Sequence, residues 1–291
     1  MGKEKISAVI NTLDEEKNIR SCLESVRWCD EIVVVDMYSD DRTVEIARTL
    51  GARVYLHERI LAFDGARTFA IAQATNDWIL ILDADEEIPP KMASLIRTWV
   101  DEGRYDVIEL PRANLAFSGF APHESDFPEY HRRLFRRTAM EIASYQGRIH
   151  TFYEVKSGAR VGRLPAAFPH QCILHYTNPT VSALINKINQ YTTIEASQRF
   201  ESYNRPGRVL LMTILRPLNA FWVHYLRRRG FLDGWRGFWL SIIFVIYEWL
   251  ALAKIWEMKL HGGRLPTVEE ASERMRSLVQ KEREEKRRGA G

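Results

Sequence analysis

The chain has 291 residues, 46% hydrophobic and 27% charged, a balance that excludes a disordered or low-complexity protein and suits one large domain with an appendage. Its 41 basic and 38 acidic residues leave a formal net charge of +3, which by itself argues for no acidic partner. Three cysteines, Cys22, Cys29 and Cys172, lack metal-ligand spacing and fit structural thiols of a reducing compartment better than a disulfide framework.

The opening "MGKEKISAVIN" runs straight into a strand-like stretch without the apolar segment of a secretory signal. Its Met-Gly start lacks the Ser or Thr that myristoylation expects, since Ile6 stands there. Short apolar runs then alternate with amphipathic ones. "SAVINT" is predicted as a strand, "EEKNIRSCLESVR" as a helix with Ile19, Cys22, Leu23 and Val26 on one face, and "EIVVVD" as a second strand. The alternation continues through "RTVEIARTL", "ARVYLHE", "ARTFAIAQAT", "DWILIL", a helix from Pro90 to about Val100, and "YDVIEL". Such a series predicts an α/β, Rossmann-like domain with a mostly parallel sheet covered on both faces. Ligands of such sheets bind beyond the carboxyl ends of the strands, where Asp36, Asp83 and Asp85 fall.

From Pro111 to His175 the pattern loosens, with short strands predicted around "HRRLFRR", "RIHTFYEV" and "CILHY". After Tyr176 it becomes helical: "TVSALINKINQYTTIEASQRF", "GRVLLMTILRPLNAFWVHYLRRRGF" and "GFWLSIIFVIYEWLALAKIW". The expected organisation is an α/β domain over residues 1–178, a helical, membrane-associating region over 179–265, and a charged tail over 266–291, read as an exposed helix fraying into disorder.

The stretch "ILILDADEE" places carboxylates directly against a buried strand. Asp83 and Asp85 can turn toward one cation while Ala84 leaves room for a ligand, and hard oxygen donors suit Mg²⁺ or Mn²⁺ carrying a diphosphate. Glu86 and Glu87 are read instead as the acidic start of the following helix.

Five blocks in order, "SAVINTLDEEKNIRSCLESVRWCDEIVVVDMYSDDRTVEIARTLGARVY", "ARTFAIAQATNDWILILDADE", "EYHRRLFRR", "HYTNPTVSALINKINQYT" and "GFLDGWRGF", together resemble family 2 glycosyltransferases. More narrowly they resemble the bacterial branch that builds lipopolysaccharide core and related surface glycans. The resemblance implies a GT-A fold in which Thr12, Leu13, Glu15 and Asp36 hold the nucleoside of a sugar nucleotide. It makes Asp83 and Asp85 a D-x-D motif for Mg²⁺ or Mn²⁺, with Asp85 the direct ligand and His175 a further metal or diphosphate contact. Arg67 and Arg133 would meet the nucleotide or its phosphates. Glu129 is the first choice for the base of an inverting transfer, with His150 and Glu154 as second candidates. The chain departs from the family pattern at Thr68, where Asn is usual, at "DMYSDD", where relatives carry a Ser-Gly-Ser-Thr-Asp turn, and at Thr151, where they carry Glu.

Phe238 to Trp256 would make a helix roughly 28 Å long at about 1.5 Å per residue, near the hydrocarbon thickness. Glu248 argues against a crossing, and Pro217 with Arg216 is expected to interrupt the preceding apolar helix. Trp222, Tyr225, Trp235, Trp239, Trp249 and Trp256 suit headgroup depth, and Arg227, Arg228 and Arg229 suit anionic lipid. The expectation is therefore a peripheral or monotopic protein at the cytoplasmic face of the membrane, with phospholipid partners and no nucleic acid. An apolar helix buried between copies of a homo-oligomer is the alternative. The function implied is sugar transfer from a nucleotide sugar to a lipid-linked or lipopolysaccharide-type acceptor. Two rivals are a sugar-nucleotide nucleotidyltransferase, which would use the same acidic pair, and a non-catalytic membrane scaffold.

Overall fold

The computed structural model describes residues 3–59, 63–117, 119–123, 126–141, 154–178, 180–203 and 207–288. The chain divides into two compact units, Met1–Thr180 and Val181–Gly291.

The first unit opens with β1 (Ile6–Thr12), α1 (Ile19–Ser25), β2 (Glu31–Asp36), α2 (Thr43–Thr49), β3 (Arg53–Leu56), α3 (Phe63–Gln73) and β4 (Trp78–Asp83). It continues with β5 (Glu86–Glu87), α4 (Pro90–Glu102), β6 (Val107–Ala116), β7 (Gly119–Phe120), β8 (Glu129–Arg136), β9 (Met140–Glu141), β10 (Glu154–Val155), β11 (Val161–Arg163) and β12 (Ile173–Asn178). Among the described residues ten strands form one sheet with the path β3-β2-β1-β4-β8-β6-β12-β5, β7 and β11 also pairing with β6, while β9 and β10 form a separate ribbon.

Every residue of β1 is buried. A central parallel strand has helices over both faces, so its apolar residues run without alternation. Ala8, Ile10, Leu80 and Leu82 pack into one apolar layer with Ile19, Leu23, Met92 and Ile96 of α1 and α4. Val9, Val33, Val35, Ile79 and Ile81 pack into the opposite layer with Ala66, Ala70 and Ile71 of α3.

The register carries the site. β1 lies parallel between β2 and β4, with Thr12 opposite Asp36 and Asn11 opposite Asp83. The polar ends of three strands therefore meet at one edge. Beyond β4 the parallel order is broken by β8, which runs antiparallel to both β4 and β6. β6 does not stop at Pro111; it runs on to Ala116, with Pro111 opposite Tyr130 and Arg112 opposite Glu129. Between Ile108↔Leu134 and Leu110↔His131, β6 advances two residues and β8 three. This extra residue is a β-bulge, which shifts the side-chain alternation of β8 between His131 and Leu134. β12 then pairs antiparallel with β5, setting His175 opposite Glu86.

The second unit comprises α5 (Val181–Arg199), α6 (Arg208–Phe221), α7 (Gly234–Leu260) and α8 (Val268–Arg288). Pro217 does not interrupt α6, which runs through it and continues as a π-helical turn over Trp222–Arg227. Proline cannot donate to the carbonyl four residues back; that carbonyl, of Thr213, instead accepts the Trp249 indole N–H at 2.9 Å. Glu248 is likewise partnered, accepting Arg199 Nη1 at 3.2 Å and Arg216 Nη1 at 3.1 Å. A small core gathers Ala196, Tyr203, Leu252, Ile255 and Met258. Among the described residues two helical stretches, Arg208–Arg227 and Gly230–Leu260, are long and apolar enough to cross a membrane.

The charged tail, read from sequence as an exposed helix, is a 21-residue helix over Val268–Arg288. Its start is a capping box: the Glu270 N–H donates to Thr267 Oγ1 at 3.2 Å and the Thr267 N–H to Glu270 Oε2 at 3.0 Å.

Candidate active site

Asp83, the last residue of β4, is held by two arginines from different elements. Arg67 of α3 donates Nη2 to its Oδ1 at 2.5 Å, and Arg133 of β8 donates Nη2 to its Oδ2 at 2.7 Å. Burial alone would raise this carboxyl, but the charges of Arg133 and then Arg67 outweigh it and hold Asp83 well below the usual carboxylate range. The residue is thus a fixed anion with both oxygens engaged.

Glu86 sits beneath it with a fully buried side chain. It does not cap a helix, since α4 begins four residues later with Pro89 as its N-cap. Its Oε2 accepts the Asp83 backbone N–H at 3.0 Å, and its Oε1 accepts Arg133 Nη2 at 3.2 Å and Arg112 Nη1 at 3.3 Å. Burying a carboxylate costs several kcal/mol unless it is paired, and these donors supply the pairing. They also lock the turn that carries Asp85. Arg133 is buried, and its Nη1 has no hydrogen-bond partner among the described residues.

A second chain of contacts links β12, β6 and β8. Glu129 Oε2 accepts Arg112 Nη2 at 2.8 Å and Asn114 Nδ2 at 3.1 Å, and its Oε1 lies 3.2 Å from His131 Nε2. Burial would raise the Glu129 carboxyl, but the contacts from His131 and Arg112 outweigh it and keep it below the usual range. Because Glu129 is an acceptor, the Asn114 amide nitrogen must face it, which turns Asn114 Oδ1 toward His175 Nδ1, 2.7 Å away. His175 Nδ1 therefore carries the hydrogen. The other ring nitrogen, Nε2, lies 3.2 Å from Asp85 Oδ2. In a neutral imidazole this sets the Nε2 lone pair and a carboxylate oxygen side by side, two donors to one cation.

Asp85, Ala84, Glu86, Glu87, Asn18, Ser21 and Tyr176 line a cleft of 310 Å³. Among the described residues no three His, Cys, Asp or Glu side chains are spaced to hold a metal alone. The donor chemistry of Asp85 and His175 nevertheless fits a hard divalent ion that takes its remaining ligands from phosphate and water.

At the neighbouring strand ends, Thr12 is buried and its Oγ1 has no hydrogen-bond partner among the described residues. Asp36 is buried against Ser39, accepting its N–H at 2.8 Å and its hydroxyl at 2.5 Å. Leu13 packs against the α3-side core, and Glu15 Oε2 accepts Asn18 Nδ2 at 2.7 Å. Arg59, which drew no notice in the sequence, binds the turn after β2 through Met37 O at 3.2 Å and Tyr38 O at 2.6 Å. Glu154 is exposed on the β9–β10 ribbon, opposite Glu141 and outside the large sheet. His150 lies outside the described residues.

The profile of Glycosyl transferase family 2 matches residues 7–155. The chain belongs to that family. An uncharacterized glycosyltransferase of Rickettsia typhi is 32% identical over 88% of this chain and 88% of its own length. The lipopolysaccharide core biosynthesis glycosyltransferase LpsC of Rhizobium meliloti is 28% identical over 91% of this chain and 97% of its own. Among solved structures, residues 1–349 of Staphylococcus aureus TarS align with 89% of this chain and 92% of that one, at 15% identity and a TM-score of 0.42.

This glycosyltransferase has a GT-A fold, and Asp83 stands at the edge where its central strands end, with Asp85 two residues beyond. Reasoning from sequence missed Glu86, Arg112 and Asn114. The alternation of β6 past Pro111 puts Arg112 and Asn114 on one face, a signal present in "LPRANLA", but the proline masked it as a loop.

Proposed function

We propose that this glycosyltransferase moves a sugar from a nucleotide sugar to a membrane-held, lipopolysaccharide-type acceptor, with inversion and with Mg²⁺ or Mn²⁺. The observation that carries the reading is the linked set Asp85, His175, Asn114 and Glu129, which joins a cation-seeking pair to an ionised carboxylate through one amide.

Asp85 and His175 would hold the ion beside the diphosphate. When bound, it neutralises charge on the departing nucleoside diphosphate as a Lewis acid. Arg67 and Arg133 fix Asp83 as a positioning anion, and the unspent Arg133 Nη1 is available to a phosphate oxygen. Thr12, Leu13, Glu15 and Asp36 border the nucleoside at the ends of β1 and β2, and Ala84 leaves the diphosphate room.

Glu129 takes the acceptor hydroxyl proton as the new oxygen–carbon bond forms on the face opposite the leaving group. The bond from the anomeric carbon to phosphate breaks, and its electron pair leaves with the diphosphate. A single displacement of this kind inverts the anomeric centre. Held ionised by Arg112, Asn114 and His131, Glu129 is a weak base, which suits an oxocarbenium-like transition state in which the proton moves late.

Support for a membrane acceptor comes from α6, where Leu210 is 73% exposed, Leu218 64% and Ile214 59%. Those residues with Leu211, Leu215 and Trp222 form an apolar face on a monomer, larger than solitary surface leucines would explain. LpsC, named for lipopolysaccharide core biosynthesis, points to the same class of acceptor. Free thiols at Cys22, Cys29 and Cys172 and a nucleotide-sugar donor favour the cytoplasmic face.

The test is a binding screen of nucleotide sugars with Mg²⁺ or Mn²⁺, followed by turnover on membrane lipid extract. Release of a nucleoside diphosphate is expected, and release of pyrophosphate would indicate nucleotidyl transfer. Asp85→Ala should abolish turnover and the metal-dependent part of nucleotide binding; full activity in that variant would sink the metal assignment.

A further inference from the structure

The second unit contains a cavity of 660 Å³ between α5, α6 and α7 that the catalytic reading leaves unused. It is amphipathic along its length. One end holds Glu195, Arg199, Arg216, Glu248 and Tyr247; the other is walled by Ala220, Val223 and the stacked rings of His224 and Phe244, whose centroids are 3.6 Å apart.

The polar end is more than a clasp between helices. Glu248 Oε2 receives Nη1 of both arginines, and Arg199 Nη2 also pairs with Glu195. The carboxylates thus orient the two guanidinium groups, while Arg216 meets Glu248 through Nη1 with its side chain 33% exposed. An oriented, partly exposed guanidinium with donors to spare is suited to a phosphate oxygen.

Two further observations bear on the cavity. The helix wall is a π-helical turn over Trp222–Arg227, in which the Arg228 N–H donates to Val223 O at 2.9 Å. Such turns are uncommon and frequent at functional sites; this one carries Val223 and His224 into the cavity wall. In addition, Leu215 lines the cavity yet is 47% exposed, so the mouth opens onto the apolar face of α6.

We infer that this cavity is a lipid site, taking the phosphate of a membrane lipid at Arg216 and Arg199 and the first part of its apolar chain along Ala220, Val223 and Phe244. The two carboxylates at this end balance the two arginines, so it is the donors Arg216 keeps beyond Glu248 that suit a headgroup phosphate oxygen, and continuity with the exposed α6 face selects a lipid over a soluble phosphate. The inference lies wholly within the helical unit and does not depend on the donor-site assignments. The phosphate can come from a phospholipid or from a phosphorylated glycolipid acceptor; the two arms of the test separate these sources.

The full chain in a neutral detergent is titrated with short-chain phosphatidylglycerol in one arm and a short-chain phosphorylated glycolipid in the other, followed by calorimetry. Saturable binding is expected in at least one arm, the tighter arm naming the source. Arg216→Gln should weaken it about tenfold and Arg216→Lys less. Ala220→Phe, which fills the apolar end and leaves every ion pair in place, should weaken it by a similar factor. Circular dichroism identifies the folded variants to be compared, and nucleotide binding should be unchanged in them. Undiminished binding in folded Ala220→Phe and Arg216→Gln overturns the inference. So does an absence of saturable binding in both arms, or inorganic phosphate binding as tightly as the lipids.

Discussion

Glu86→Gln isolates the group that holds the site together. Glu86 uses both oxygens as acceptors, Oε2 for the Asp83 N–H and Oε1 for Arg112 and Arg133. Glutamine keeps the shape but offers one oxygen. Whichever way its amide turns, an NH₂ group faces either the Asp83 N–H or two guanidinium groups, and the buried arginines lose a compensating charge. Breaking a buried ion pair from one side costs about 3 kcal/mol or more. For a unit of this size each kcal/mol moves the melting temperature by roughly 2–4 °C, so Glu86→Gln should melt roughly 6–12 °C below the parent. Thermal unfolding by circular dichroism measures this. Glu87→Gln is the control: Glu87 is partly exposed and accepts the Tyr176 hydroxyl at 3.1 Å, and should change stability by about 0.5 kcal/mol or less. The same Glu86 variant should raise KM for the donor, because the turn bearing Asp85 loses its anchor. Equal melting temperatures for the two variants would refute the account of Glu86 as the buried keystone and return it to an ordinary acidic residue ahead of a helix.

Glu129→Gln should leave nucleotide binding intact and lower kcat about 10²-fold, measured as nucleoside diphosphate release; a near-normal rate would transfer the base to His150 or Glu154. Asp106 accepts a bidentate pair from Arg160, Nη2 to Oδ1 at 2.8 Å and Nε to Oδ2 at 3.0 Å, and the Arg160 hydrogen bond leads the causes that bring its carboxyl down to about 2. A depressed folded value stabilises above the unfolded value, about 3.9, and is lost as pH falls through the folded one. Asp106→Asn should therefore cost about 1 kcal/mol or less at pH 7, since Arg160 is solvent-screened, with the gap to the parent closing between about pH 4 and 2 in urea titrations. A gap independent of pH would refute the ion-pair account. Trp249→Phe should cost about 1 kcal/mol by freeing the Thr213 carbonyl, and less in a Pro217→Ala background, where residue 217 regains an N–H for that carbonyl. Additive effects in the double-mutant cycle would show that the indole does not replace the missing helix bond.

Local chemistry made much of the catalytic domain legible. The apolar runs of β1, β2 and β4 and the helical faces of α1 and α4 fix their own type, because parallel strands buried on both faces and amphipathic helices have different periods. The end of β4 at Asp83 followed from the same pattern, and the ordered motif blocks gave the family. Pro111 and Pro217 misled in the same way. Each breaks a local rule, yet β6 continues through Pro111 into the Arg112–Asn114 face, and α6 continues through Pro217 because Trp249 serves the carbonyl that proline leaves vacant.

The sequence by itself determined which residues are charged, which segments are buried, and that acidic side chains stand at the ends of central strands. Only the tertiary structure decided which of those charges meet. Glu86, read in isolation as a helix start, becomes a buried anchor because the antiparallel pairing of β4 with β8 brings Arg133 to it from 47 residues away. His175 acquires a defined tautomer because Asn114, 61 residues earlier, is turned by Glu129. The physical reason is common to both cases: a hydrogen bond or ion pair depends on distances of about 3 Å, and those distances are set by strand register, which no local pattern of residue types encodes.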